Sequence, residues 1–277
     1  MNDKSRQVAV MVTAVIQVVI NTLIGTGIID FGLSSTSAIS DSLPNYFTPA
    51  GYTFLVWNVI FLGVLVYSFY QWRGDQAERD VHRRIGWWAV AANIGNGAWP
   101  LIWGAGGAKG TDGFQPGLHL ISGFIIVGIL FCLAMIFARL RDMHTDLGLL
   151  DGWFIQAPYS AFFAWINIAT IANVTAILVS LGVEAGDAGA YWSVAMLVVA
   201  TALGSGLILY SRGLVSTVAF TGILVWAFIG VAMGNGEQSG IVGITAVIAA
   251  VIVVLVTVFS FTGLYSQREL VSIQSST

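Results

Sequence analysis

The side chains with chemical potential in this sequence are amides, hydroxyls and indoles set inside long apolar runs. Asn93, Asn96, Asn167, Thr170 and Asn173 fall within such runs, and Asn58 directly follows Trp57. Asn96, Trp99 and Trp103 stand at i, i+3 and i+7, hence on one face of a helix. Trp57 and Phe61 share a second face; Phe162, Trp165 and Ala169 share a third. An amide in such a run either bridges to a neighbouring helix, for roughly 1 kcal/mol per bond, or touches a ligand. Aromatic stripes either pack or line a pocket. Three of them with adjacent amides suit a cavity for a flat, mostly apolar molecule. His119, with Gln115 and Ser122 along one helix edge, reads as a hydrogen-bonded interfacial histidine; a haem or chlorin ligand is the alternative.

Other chemistries are excluded by what the runs lack. Cys132 is the sole cysteine, so there is no internal disulfide and no Cys-rich zinc site. No Lys, Arg, Asp or Glu lies centrally in a run; Asp30 and Asp151 sit at ends. Intramembrane charges mark proton relays and ion paths, so an ion-coupled pump, transporter or channel is not expected. No nucleophile–base pair, carboxylate pair or metal cluster is apparent, so no enzyme is predicted. The net charge of −3 is small and dispersed, which argues against nucleic acid.

The elements that must position these residues follow from composition. Only 9% of the 277 residues are charged, against about 25% in soluble domains. With mean hydropathy +0.84, this indicates an all-α, polytopic transmembrane helix bundle. Uncharged runs predict about eight spans: Val8–Ile29, Gly51–Trp72, Ile85–Gly106, Pro116–Ala138, Trp153–Val183, Gly189–Tyr210, Leu214–Met233 and Ile241–Leu264. The first is too long for a cleavable signal peptide and reads as a retained span. With this count, every Lys and Arg except Lys109 falls on one side. The positive-inside rule then places both termini in the cytoplasm, and a bacterial cytoplasmic membrane is the expected location.

Trp72, Trp87, Trp88, Trp153 and Trp192 lie near span ends, where interfacial belts form. Gly204, Gly206, Gly222 and Gly230 are expected at close helix contacts. The loop 31–50 shows no obvious secondary structure and reads as a lid or a surface loop.

Three segments resemble a known family. Phe47-Thr48-Pro49-Ala50-Gly51-Tyr52-Thr53-Phe54, followed by Trp57 and Phe61, is similar to the start of the second helix in TspO/MBR proteins (tryptophan-rich sensory proteins). Asn96 and Trp99 match that family's Leu-Asn-x-x-Trp motif in the third helix. Pro158-Tyr159, Trp165 and Asn173 resemble its fifth helix. Tyr52 stands where the family usually has Trp, and Phe162 replaces the first Trp of the fifth helix.

The resemblance covers about residues 5–183. It implies a unit 1–183 with a TspO-like five-helix bundle, and a second unit 184–277 of three further helices and a short tail. It also implies a cavity under the loop between the first two helices, lined by Pro49, Tyr52, Phe54, Trp57, Asn96, Trp99, Trp103, Phe162, Trp165 and Asn173. The implied role is a sensor or carrier of an apolar small molecule. That ligand would be a porphyrin or other tetrapyrrole, a chlorophyll-type pigment, a carotenoid, a sterol-like molecule or a lipid, with no cofactor obligatory. Implied partners are membrane lipid and, for oligomeric forms, a second copy or other membrane subunits. The alternative reading is an accessory subunit of a larger, pigment-holding membrane complex.

Overall fold

In the computed structural model, residues 3–26, 31–183 and 186–274 are described. The predicted end of the first span at Ile29, with Asp30 and Glu184, lies outside them. The elements are α1 (Asp3–Thr26), α2 (Thr36–Ser42), a 3-10 turn (Gly51–Leu55) and α3 (Val56–Tyr70). They continue with α4 (Asp80–Ala105), α5 (Pro116–Asp142), α6 (Leu149–Asp151), a π-turn (Gly152–Gln156) and α7 (Ala157–Ser180). The chain ends with α8 (Gly189–Tyr210), α9 (Leu214–Asn235) and α10 (Gly240–Gln274). No strand occurs among the described residues.

Among the described residues, seven helical segments are long and apolar enough to cross a bilayer. α4 has the length, 26 residues, but Asn93, Asn96, four glycines and Pro100 dilute its hydropathy. Its position places it within the same bundle. Arg83 in its first turn reaches Asp3 at the start of α1, with Nη2–Oδ2 at 2.6 Å. Gly104 near its other end accepts from the Ser34 N–H, beyond the far end of α1. α4 therefore runs parallel to α1 along its whole length. It can afford lower hydropathy because α1 and α5 flank it and bury Ala89, Ala92, Asn93 and Asn96.

The helices pack in a closed chain of neighbours: α3–α1–α4–α5–α7, with α3 returning to α7. α9 lies against α7, and α10 joins α9 to α8. One hydrophobic cluster runs through both predicted units, from Val10 and Ile60 to Phe228, Val242 and Val253. Without water between helices, close fit and internal hydrogen bonds do the holding. Gly204 meets the expectation, since a Cβ there would come within 2.6 Å of Leu224 Cδ1. Gly206 and Gly222 do not, because both face open space.

Pro100 sits inside α4 and has no N–H to offer the carbonyl of Asn96, four residues back. Asn21 of α1 supplies the missing donor: its Nδ2 lies 3.0 Å from Asn96 O. A freed backbone carbonyl in a bilayer needs such a partner.

Candidate functional site

A cavity of about 480 Å3 opens at the end of the bundle away from the Asp3 end of α1. α1 supplies Asn21 and Thr22; the 48–61 segment supplies Thr48, Pro49, Phe54, Trp57, Asn58 and Phe61. α4 contributes Asn96, Trp99, Pro100 and Trp103, α5 Ile126 and Ile129, and α7 Trp165, Ala169, Ala172, Asn173 and Ala176. No charged side chain is among its lining residues.

Eight of the ten sequence-predicted residues are in this lining: Pro49, Phe54, Trp57, Asn96, Trp99, Trp103, Trp165 and Asn173. The other two are elsewhere. Tyr52 is 41% exposed and leans edge-on against Trp226, with ring centroids 5.6 Å apart. Phe162 is fully buried behind Trp57, 6.1 Å from its ring. A 3-10 turn at 51–55 explains Tyr52, because it rotates that side chain off the face that carries Phe54. Phe162 stands nearly one turn before Trp165, toward the close α3–α7 contact.

The aromatic stripes meet as one wall. Trp99 and Trp103 stack 5.5 Å apart at 14°, and Trp57 and Phe61 stack at 5.3 Å. Trp165 stands edge-on to both Phe54 and Trp57, 6.0 Å from each. In this apolar wall the indole Nε1 of Trp99, Trp103 and Trp165 has no hydrogen-bond partner, nor has either amide atom of Asn173.

The amides divide into classes that spacing alone did not separate. Asn96 donates to Gln17 Oε1 at 2.8 Å, Gln17 donates to Asn93 Oδ1 at 2.8 Å, and Asn93 donates to Thr13 Oγ1 at 3.3 Å. This ladder joins α1 to α4. Asn167 and Thr170 bond back to Phe163 O and Ile166 O on their own helix, so they neither bridge nor face the cavity. Asn21 and Gln17 were missed, although two amides four apart in the first apolar run are a readable signal.

The loop 31–50 is more ordered than expected, since it contains α2, capped by Ser35 Oγ accepting from the Ala38 N–H. Ile39 of α2 and Leu43, the residue just after it, are buried against Trp103, Ala176 and Ile177, while Ser35, Thr36, Ser37 and Ser40 edge the cavity. His119, expected at an interface, is instead fully buried with its ring 4.5 Å from that of Trp103, backing the cavity wall.

The opposite end of the bundle is polar. Arg79 grips Asp151 through two bonds of 2.6 and 2.7 Å, and Tyr70 Oη donates to Asp151 Oδ1 at 2.8 Å. Buried His82, in the first turn of α4, has Nε2 3.0 Å from Gln76 Oε1 and Nδ1 3.4 Å from Tyr67 Oη. Burial, then the charges of Arg79 and Arg6, lowers its pKa to about 4, so it is neutral at pH 7.

No curated protein and no solved structure matches this sequence. A protein-family model does: that of the TSPO-like proteins, matching residues 7–259. The match extends past the five helices of the initial resemblance into α10. This integral membrane bundle around an aromatic cavity, matched over most of its length, belongs to the TSPO-like protein family.

Proposed function

We propose that the protein binds a flat, mostly apolar small molecule of the tetrapyrrole or sterol-like kind in this cavity, as a sensor or carrier. One observation supports this above the others: a single uncharged cavity is walled by Phe54, Trp57, Trp99, Trp103 and Trp165, with Asn96 and Asn173 as its amides. Flat aromatic faces with few polar groups suit a flat, mostly apolar ligand. The cavity size lies within the usual small-molecule range of about 300–1,000 Å3. No carboxylate, histidine, cysteine or lysine is among the lining residues, which favours binding over catalysis. The described cations also support a cytoplasmic N-terminus: Arg6, Arg79 and Arg83 gather at the end where α1 begins, whereas Lys109 bonds through its N–H to Ser42 beside α2.

Titration of the purified protein with protoporphyrin IX, followed by the shift of its main absorption band, tests the reading. Saturable binding at micromolar ligand is expected, weakened at least tenfold by Asn173→Leu or Trp99→Ala. Absence of saturation sinks the tetrapyrrole reading.

A further inference from the structure

The 48–54 segment lines the cavity with Thr48, Pro49, Gly51 and Phe54, yet only its last residues form a helical turn. Its backbone polar groups therefore need partners from elsewhere. α9 provides them. The Ala50 N–H donates to Gly230 O at 2.9 Å, Trp226 Nε1–H donates to Thr53 O at 2.9 Å, and Asn235 Nδ2 donates to Thr48 O at 2.8 Å. Residues 226, 230 and 234 succeed one another by four on one helix face. The fit leaves no room for side chains at the two glycines. A Cβ on Gly234 would lie 2.7 Å from Ala50 N and 3.0 Å from Thr48 O; one on Gly230 would lie 2.2 Å from Thr53 Oγ1. None of these four α9 residues is in the cavity lining.

We propose that α9 is the positioning element of the cavity mouth. Trp226, Gly230, Gly234 and Asn235 hold the 48–54 backbone so that Pro49 and Phe54 face inward, and ligand affinity depends on residues that never touch the ligand. The last point rests on the ligand-binding reading above; the positioning itself does not. Support from behind a site commonly sets its geometry. α9 thus reaches the cavity mouth through this seam, besides packing against the cavity-lining α7.

The full-length protein in lipid nanodiscs is compared with Trp226→Phe/Asn235→Leu and with Gly234→Val. Val218→Ala, on the exposed face of α9, is the control. The first readout is hydrogen–deuterium exchange of peptides covering 48–55, which reports local opening without any ligand. The second is protoporphyrin IX affinity. In the double variant, exchange of 48–55 is expected to quicken at least tenfold and affinity to drop at least fivefold. Exchange in α4 and α5 stays unchanged, and the control changes neither readout. Unchanged exchange at 48–55 overturns the proposal, as does faster exchange with unaltered affinity. If Gly234→Val loosens α4 and α5 too, the polar double variant decides. If the wild-type protein binds no protoporphyrin IX, the ligand reading fails alone, and exchange still decides whether α9 positions the segment.

Discussion

At the residue scale, Gln17 joins two helices through one side chain. It accepts from Asn96 and donates to Asn93. Gln17→Leu leaves Asn96 Nδ2 and Asn93 Oδ1 without their partner in a dry interface, so stability is expected to drop by about 1–2 kcal/mol, read by thermal unfolding in detergent. His82 gives a pH signature. Its pKa is lowered to about 4 in the fold, whereas an unfolded histidine titrates near 6.5. The unfolded chain therefore binds the extra proton between these values, and stability falls as pH drops from 6.5 to 4. The expected loss is about 3 kcal/mol, and His82→Gln should flatten the profile in this window. A wild-type stability flat between pH 7 and 4 contradicts the assignment. The division among the asparagines was not legible in sequence. Asn96, Asn167 and Asn173 occupy similar apolar runs, and only the neighbouring helix decides which of them bridges, bonds back or faces the cavity.

At the element scale, α4 tolerates an internal proline because α1 answers it. Asn21→Leu leaves the Asn96 carbonyl without a donor, an expected cost of about 1–2 kcal/mol. Pro100→Ala restores the helix's own N–H, so the same Asn21→Leu change should cost about 1 kcal/mol less in that background. Additive losses in the double-mutant cycle would show that Asn21 serves some other end. The positions of the long helices were largely readable, because charges are scarce and fall at their ends; seven of the eight predicted spans are long and apolar enough to cross a bilayer among the described residues. α2 escaped notice: seven residues of mixed polarity carry too little periodicity. Its two buried anchors, Ile39 and Leu43, four apart, are the trace it left.

At the scale of the whole molecule, the two ends do different work. The charged end is locked by polar contacts, centred on Asp151 with Arg79, Tyr70 and the Gly148 N–H around it. Asp151→Ala is expected to destabilise the bundle by about 2–3 kcal/mol, since a charge-assisted set is lost and Tyr70 Oη is stranded. Protoporphyrin IX affinity should stay unchanged, because the site lies at the other end. A large affinity loss with intact thermal stability would contradict this separation. Most of the aromatic side chains in the cavity lining were legible from three short motifs, since a helix fixes which residues share a face. The contribution of α9 was not. Trp226 and Asn235 bond to main-chain carbonyls of 48–53 and Gly230 and Gly234 make room for that segment, and such targets leave no chemical mark in a sequence.

The seam between α9 and the 48–54 segment also sets a clock. Its two side-chain hydrogen bonds join residues 173 and 187 positions apart in the chain. A ribosome adding about 5–20 residues per second needs roughly 10–40 s to cover that distance. By the end of that interval the six long helices before α9 are made, and until then the mouth of the cavity lacks its brace. The cavity mouth is thus braced only once α9 is made, and if the cavity binds a ligand as proposed, a nascent chain is expected to acquire it only after α9 has entered the bilayer.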